Sequence, residues 1–430
     1  MKKILFYIEP WIELNIPFWK RDYIWWFKNN IESAFKANTK VESLFVINEG
    51  IEANVDTSSM ENYEVIYQHE LIKIFSSSIS SLKNWQNNTF SETEMNEMQK
   101  LIKLKLKSFE PDIIFTISPV PYLSKLYPKA KIFHKHGFNM REPFPDEMLS
   151  FDHLGLYGNS VWAENINFFK NKKLNNSEKL FLDDFRSIFR PIFEGMASQN
   201  EIIFNDLKIK NFKKILLFPL QHNDHNIYRH STNYLLPAMI EHVFSSLDPQ
   251  IGVLVTQHPD SMLLTNDEIN YFKNKYRNFL YLGKSEKRHS PSQELLPLTD
   301  GILSVASHLS FLALILKKPV FTVAGSHINK FSDNNNISEI STLLQENLQG
   351  KDFKDSLLHF FIKKYNFNYK YFLDHDWLFN RFTTIDSSIT AKNYPEIDED
   401  NYILDSYIER KRLPKYDKDL NHDSVTKRKE

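Results

Sequence analysis

The sequence predicts an α/β fold made of two Rossmann-like domains that face each other across a cleft. Short apolar strands alternate with helical segments in two separate series, which is the pattern of doubly wound α/β domains. The chain has 430 residues, enough for two domains of ordinary size. Its apolar content of 42% supplies two hydrophobic cores and excludes a disordered chain.

The first series occupies the N-terminal half. Its strands are short and rich in Ile, Phe and Val, and its helices carry apolar residues at helical spacing. The predicted strands are residues 3–8, 41–47, 112–118 and 131–134, and the predicted helices are residues 17–36 and 95–109. We expect residues 138–175 to form loops facing the cleft and a helix at residues 177–200 to bridge the two halves.

The second series is more regular. The predicted strands are residues 214–219, 252–256, 279–282, 301–305 and 319–323, and the predicted helices are residues 233–246, 267–276, 293–298 and 308–316. Such spacing predicts a parallel sheet with helical crossovers. From residue 343 onward the pattern is helical and aromatic.

Composition excludes several classes of function. The chain has 53 basic and 54 acidic residues, so no net charge attracts nucleic acid. It has no cysteine, which excludes disulfides and thiolate metal sites and fits the reducing cytoplasm. The apolar residues 4–8 are too short for a signal peptide and predict a strand. No unbroken stretch reaches the roughly 20 apolar residues of a membrane-spanning helix.

The first polar segment follows the strand at residues 214–219. It holds Gln221, His222, Asp224 and Arg229, together with two more histidines, His225 and His230. A carboxylate among imidazoles and a guanidinium stays ionised and can act as a nucleophile. The alternative is a polar turn in which Asn223 and Asp224 serve only the backbone conformation.

The second segment is the pair His258-Pro259, which follows the strand at residues 252–256. Proline restricts the backbone there, and the imidazole would point into the cleft, where it can donate to a phosphate or a carboxylate. A purely structural histidine is the alternative.

The third segment follows the strand at residues 301–305 and contains Ser304, Ser307, His308 and Ser310, and further along Lys318. The serines and the histidine open a helix, whose N-terminal N–H groups suit a phosphate. Ordinary helix capping by Ser307 is the alternative. All three segments follow strands, and ligands of open α/β sheets bind at the carboxyl ends of strands.

Glu9, at the end of the first strand, and Glu142 are candidate residues of the N-terminal side of the cleft. Either carboxylate could contact an acceptor, and a structural role is the alternative for both. The chain has only 10 glycines and contains neither Gly-x-Gly-x-x-Gly nor a Walker loop, so a dinucleotide or ATP cradle is not expected.

Together the three segments resemble the retaining β-Kdo glycosyltransferases of bacterial capsule and O-antigen (lipopolysaccharide) biosynthesis, which are GT-B enzymes using CMP-Kdo. The correspondence covers Gln221 and Asp224, then His258-Pro259, then the stretch from Ser304 to Lys318. Two departures are visible: the family often spaces its Gln and Asp by one more residue, and a basic residue commonly stands where Thr256 is found.

This resemblance implies a metal-independent reaction. Asp224 would form a covalent adduct with Kdo, and His258, Ser307 and the following helix would hold the CMP phosphate. Arg229 or a neighbouring histidine would pair with the sugar carboxylate, and Glu142 or Glu9 would activate the acceptor hydroxyl. Partners would be CMP-Kdo and a lipid-linked glycan acceptor. The basic residues of the segment 409–430 suggest a peripheral contact to the inner face of the cytoplasmic membrane, and a solvated charged terminus is the alternative. The alternatives are another CMP- or CDP-donor transferase, such as a sialyltransferase or a CDP-glycerol phosphotransferase, or a non-catalytic binding protein.

The expected domains are residues 1–200 on the acceptor side and residues 201–375 for the CMP-sugar. As in other GT-B proteins, the helices of residues 376–408 are expected to cross back to the first domain. Residues 409–430 form a charged tail.

Overall fold

The structure is a computed structural model of the chain. The residues it describes are 1–8, 11, 23–53, 60, 62–136, 148–198, 211–221, 231–232, 234–257, 262–282, 291–345 and 352–397. The charged tail and two of the predicted loop segments, residues 222–230 and 258–261, lie outside these ranges.

The first sheet has seven strands in the order β12-β6-β5-β4-β1-β2-β3. Strands β1 to β5 run parallel, whereas β6 pairs antiparallel with β5 and β12 pairs antiparallel with β6. The strands are β1 (Lys2–Tyr7), β2 (Val41–Asn48), β3 (Tyr63–Ile66), β4 (Ile113–Thr116), β5 (Lys131–His136), β6 (Met148–Asp152) and β12 (Phe367–Asn368).

The second sheet has five strands, all parallel, in the order β11-β10-β7-β8-β9. Almost every strand residue is buried because helices cover both faces, as parallel sheets require. The strands are β7 (Lys214–Pro219), β8 (Ile251–Thr256), β9 (Phe279–Leu282), β10 (Gly301–Ser304) and β11 (Val320–Thr322).

Helices connect and cover these strands. The α-helices are Ser33–Asn38, Glu49–Glu52, Gln68–Ile72, Ser78–Asn87, Glu92–Leu106, Pro121–Leu126, Val161–Glu164, Ile166–Asn171, Asn176–Ser198, Leu236–Ser246, Asn266–Lys275, Pro291–Leu295, Leu309–Ile315, Ile340–Gln345, Asp352–Phe360, Tyr369–Leu373 and His375–Thr384. Single 3₁₀ turns are Tyr157–Asn159, Leu296–Leu298, His327–Lys330 and Ile337–Glu339, and π-helical turns are Phe27–Glu32 and Phe361–Tyr365.

The chain returns to the first sheet at its C-terminal end. The ring of Phe382, in the helix His375–Thr384, lies 4.8 Å from the ring of Phe115 on β4 and 4.9 Å from that of Phe133 on β5. Strand β12 also joins the first sheet. The predicted fold class, two Rossmann-like α/β units with C-terminal helices crossing back to the first, is confirmed.

Asp152, at the end of β6, is fully buried and accepts four hydrogen bonds. One carboxylate oxygen accepts from the backbone N–H groups of Leu154 and Gly155, at 2.8 and 3.2 Å. The other accepts from the N–H of Val161 and from the hydroxyl of Tyr365, each at 2.8 Å. These four bonds offset part of the cost of burial, which still raises the pKa of Asp152, and they fix the turn at residues 154–161 to the C-terminal segment.

Replacing Asp152 tests this anchor. Asp152→Ala should lower the free energy of unfolding by at least about 3 kcal/mol, because each buried donor left without an acceptor costs about 1–3 kcal/mol. Tyr365→Phe removes the hydrogen bond to Asp152 but leaves its three backbone donors in place, and should cost about 1.5 kcal/mol. Urea denaturation followed by circular dichroism measures both, and equal losses for the two variants would contradict the anchor role.

Candidate functional site

The junction between β10 and the helix Leu309–Ile315 is held by two serines. The Ser304 hydroxyl accepts from the N–H of Ser307 at 2.8 Å, and the Ser307 hydroxyl accepts from the N–H of Leu309 at 3.3 Å. The carbonyl of Ser307 also accepts from the N–H of Ser310 at 3.1 Å. The N-cap of this helix is His308, and Ser307 lies one residue before it, where its hydroxyl fixes the first N–H of the helix.

Two further donors of this junction are also engaged. The N–H of Ala306 donates to Gln221, and the N–H of Phe311 donates to the carbonyl of His308 at 2.9 Å. Ser307 and His308 are both partly exposed, so their side chains can reach a phosphate at this edge. The Ser307 hydroxyl still has its own proton to donate.

Gln221 attaches the exit of β7 to the junction after β10. Its side-chain oxygen accepts from the N–H of Ala306 at 2.9 Å. At the other side of segment 222–230, the carbonyl of Ser231 accepts from the N–H of Gly325, beyond β11, at 3.0 Å. Both described flanks of the segment that contains Asp224 are thus fixed at the carboxyl ends of β10 and β11.

Gln257 has the same role for the segment 258–261. Its side-chain amide donates to the Tyr281 hydroxyl at 2.5 Å, and its side-chain oxygen accepts from the N–H of Leu263 at 2.8 Å. Gln257 is buried, so this residue fixes both flanks of the His258-Pro259 segment at the exits of β8 and β9.

Seven of the predicted site residues lie outside the described residues. They are Glu9, Glu142, His222, Asp224, Arg229, His258 and Pro259. Their roles stay predictions.

The other predicted residues divide between the two edges of the sheet. Gln221, Ser304, Ser307, His308 and Ser310 lie together at the carboxyl edge. Lys318 does not, because its ammonium group donates to the carbonyl of Thr299, which precedes β10. Burial lowers the pKa of Lys318. Lys318 therefore lies at the amino edge of the sheet, where it bonds to the backbone before β10. The length of β10 separates it from the junction that contains Ser307.

The structure adds a histidine that the sequence reasoning did not select. Residues 305–308 read Val-Ala-Ser-His after β10, and residues 323–327 read Val-Ala-Gly-Ser-His after the adjacent β11. Since the two strands are parallel neighbours, His308 and His327 meet, with ring centroids 6.3 Å apart. Burial, and secondly His308, lower the pKa of His327 well below its usual value, so its imidazole is neutral at pH 7.

A cavity of about 270 Å³ opens beside His327. Residues from both halves of the chain form its wall: Gln86, Asn87, Tyr157, Gly158 and Asn159 from the first half, and Ser231, Gly325, Ser326, His327 and Lys330 from the second. It is therefore a cleft between the two halves at the carboxyl edge of the second sheet.

Among the described residues, no helix is both long and apolar enough to cross a membrane.

Comparison with known proteins gives distant structural matches only. No protein-family model and no curated protein matches this chain. Similar solved structures include the Thermosulfurimonas dismutans KpsC β-Kdo 2,7 transferase, at 14% identity over 60% of this chain and 80% of that chain, with a TM-score of 0.36. HepE of Anabaena in complex with UDP-glucose matches at 9% identity over 90% of this chain and 100% of that chain, with a TM-score of 0.36. A glycosyltransferase from Rickettsia africae matches at 12% identity over 96% of this chain and 100% of that chain, also with a TM-score of 0.36. Because these scores are low, the fold class rests on the strand order and direction.

The bond between Gln221 and Ala306 can be tested directly. Gln221→Leu leaves the buried N–H of Ala306 without its acceptor, at a cost of about 1–3 kcal/mol. We expect faster hydrogen exchange in a peptide spanning residues 303–308, whereas Gln221→Glu, which keeps an acceptor oxygen, should exchange close to the wild-type rate. Unchanged exchange in Gln221→Leu would contradict the bond.

Proposed function

We propose that this chain is a glycosyltransferase that transfers Kdo from CMP-β-Kdo, with retention, to a lipid-linked bacterial surface-polysaccharide acceptor. The observation that carries the proposal is the bond from Gln221 to Ala306, with the bond from Gly325 to Ser231. The first bond holds one flank of the Asp224 segment next to Ser307 at the exit of β10, and the second holds the other flank at the exit of β11. The proposed setting is the cytoplasm, with a peripheral contact to the inner face of the membrane.

The chemistry has two displacements at the anomeric carbon of Kdo. In the first, the Asp224 carboxylate forms a bond to that carbon, and the bond to the CMP phosphate breaks with its electron pair leaving on CMP. In the second, the acceptor oxygen displaces Asp224, and a carboxylate of the first half, Glu142 or Glu9, takes the hydroxyl proton. Each displacement inverts the centre, so the product retains the donor configuration.

The departing phosphate gains charge that side chains must offset. Ser307 and His308 lie at the edge where the segment with His258 begins, and hydroxyl and imidazole groups donate to phosphate oxygens. Arg229 would pair with the Kdo carboxylate in a two-point contact. Gln221, His222, Ser304 and Ser310 would shape this pocket, and Pro259 would fix the backbone beside His258.

We propose that no divalent metal takes part. The spacing Asp-x-Asp occurs three times, at Asp374 and Asp376, at Asp398 and Asp400, and at Asp417 and Asp419. Asp374 caps a helix by accepting from the N–H of Trp377, and Asp376 accepts from the side chain of Asn38, whereas the other two pairs lie outside the described residues. In the described part of the chain no group of three metal-ligating side chains lies together.

The nucleophile is tested by Asp224→Asn. The side chains are nearly isosteric, so the fold and CMP affinity should persist. Turnover of CMP-Kdo should fall by several orders of magnitude, since an amide is a far poorer nucleophile than a carboxylate. Intact-protein mass spectrometry of the wild type with CMP-Kdo should show an added Kdo mass that maps to the peptide containing Asp224.

His308→Gln is the matched comparison. It removes one side chain that contacts the phosphate in this scheme. Turnover of CMP-Kdo should therefore fall by about 10²–10⁴-fold, and the covalent Kdo adduct should still be detectable. An Asp224→Asn enzyme with near wild-type turnover would remove Asp224 from the mechanism.

A further inference from the structure

We propose that Arg186 is a positioning residue for the donor: it holds the last turn of the helix Leu309–Ile315, and Ser307 and His308 lie at the other end of that helix. The inference rests on the proposed function, because the donor phosphate would bind beside those two side chains. Arg186 belongs to the helix Asn176–Ser198, outside the three polar segments that carry the predicted donor-binding residues.

Arg186 donates to the carbonyl end of this helix. Its Nε donates to the carbonyl oxygen of Ile315 at 3.1 Å, and its Nη2 donates to that of Leu314 at 3.3 Å. The last carbonyl groups of a helix lack acceptor partners within the helix and carry a partial negative charge, so a guanidinium group is a favourable partner for them. The C-terminal end of the helix is therefore attached to Arg186.

A second contact fixes the guanidinium group itself. Asp355, in the helix Asp352–Phe360, accepts from Nη1 of Arg186 at 3.2 Å and from Nη2 at 2.5 Å. A two-point pairing of this kind fixes the plane of the guanidinium group as well as its distance. Arg186 therefore joins three helices, namely its own, the helix after β10 and the helix that carries Asp355.

Stability alone does not account for an arginine at this position. The side chain of Arg186 is 7% exposed and lies in a stripe of buried apolar residues of its own helix, Leu182, Phe185 and Phe189. A charge in such a stripe loses its hydration, and apolar residues of similar volume in place of a buried ion pair are often neutral or stabilising. An apolar side chain would fill this space, whereas a guanidinium group also makes directed bonds to two neighbouring helices.

The helix between Arg186 and the junction is short and rigid. It has seven residues, all of them buried, and spans about 10 Å. Because closely packed interiors transmit displacements, a shift at the Ile315 end moves His308, the N-cap, at the other end. The contacts that Ser307 and His308 would make with a phosphate therefore depend on Arg186.

The double variant Arg186→Met with Asp355→Asn separates positioning from stability. It removes both charges, so neither is left unpaired, and the melting temperature should stay close to that of the wild type. The Kd for CMP, measured by isothermal titration calorimetry, should rise about tenfold or more, because small misplacements of contact groups are costly. The KM for the acceptor should not change, because the proposed function places the acceptor on the first half.

Arg190→Gln is the matched control. Arg190 is exposed, lies one turn further along the same helix and lines the same small cavity beside Leu316 and Lys317. This variant should bind CMP as the wild type does. A double variant that binds CMP with the wild-type Kd overturns the inference, even where wild-type turnover of CMP-Kdo upholds the proposed function.

Two further measurements complete the test. Hydrogen exchange needs no ligand, and a peptide spanning residues 303–308 should exchange faster in the double variant than in the wild type or in Arg190→Gln. Unchanged exchange overturns the inference whether or not CMP binds. If the double variant melts well below the wild type, Arg186→Lys decides, because lysine keeps the charge beside Asp355 but lacks the planar fork of donors. Its Kd for CMP should still rise, and a wild-type Kd overturns the inference.

Discussion

The shared direction of the five strands in the second sheet is the constraint on which the candidate site depends. Parallel strands end at one edge, so the segments after β7, β8, β10 and β11 converge there although they are far apart in sequence. Gln221 and Gln257 hold these strand exits together, because the side chain of Gln221 bonds to Ala306 after β10 and that of Gln257 bonds to Tyr281 on β9. With antiparallel strands, the exits of β7 and β8 would lie at opposite edges.

Packing between the halves completes the cleft. The ring centroid of the buried Trp162, which follows β6, lies 5.9 Å from that of Phe311 in the helix after β10 and 5.6 Å from that of Phe361. Asp152 holds the same turn by its bonds to Val161 and Tyr365. The wall that carries Tyr157 therefore stands against His327 because of contacts made by both halves and the C-terminal segment.

Local patterns predicted most of the second sheet and the junction after β10. The strand at residues 214–219 was predicted with the bounds it has, and the helix after β10 begins at Leu309, one residue after its predicted start. Strands β6 and β12 could not be predicted locally, because their pairing joins Leu149 to Phe367 across more than half of the chain.

Two errors in the site have simple physical causes. Lys318 was grouped with Ser307 by nearness in sequence, but a helix and a turn carry the chain from the carboxyl edge back to the amino edge between them. His327 was missed although the motif after β10 recurs after β11, and its neighbour Gln86 belongs to the other half of the molecule, which no local pattern reveals.

The proposed function requires a CMP-linked donor to bind at the carboxyl edge of the second sheet, facing the first half. A crystal structure of the protein with CMP tests this most directly. We expect nucleotide density beside Ser307 and His308, between the halves. Density bound only to the first sheet, or at the amino edge beside Lys318, would contradict it.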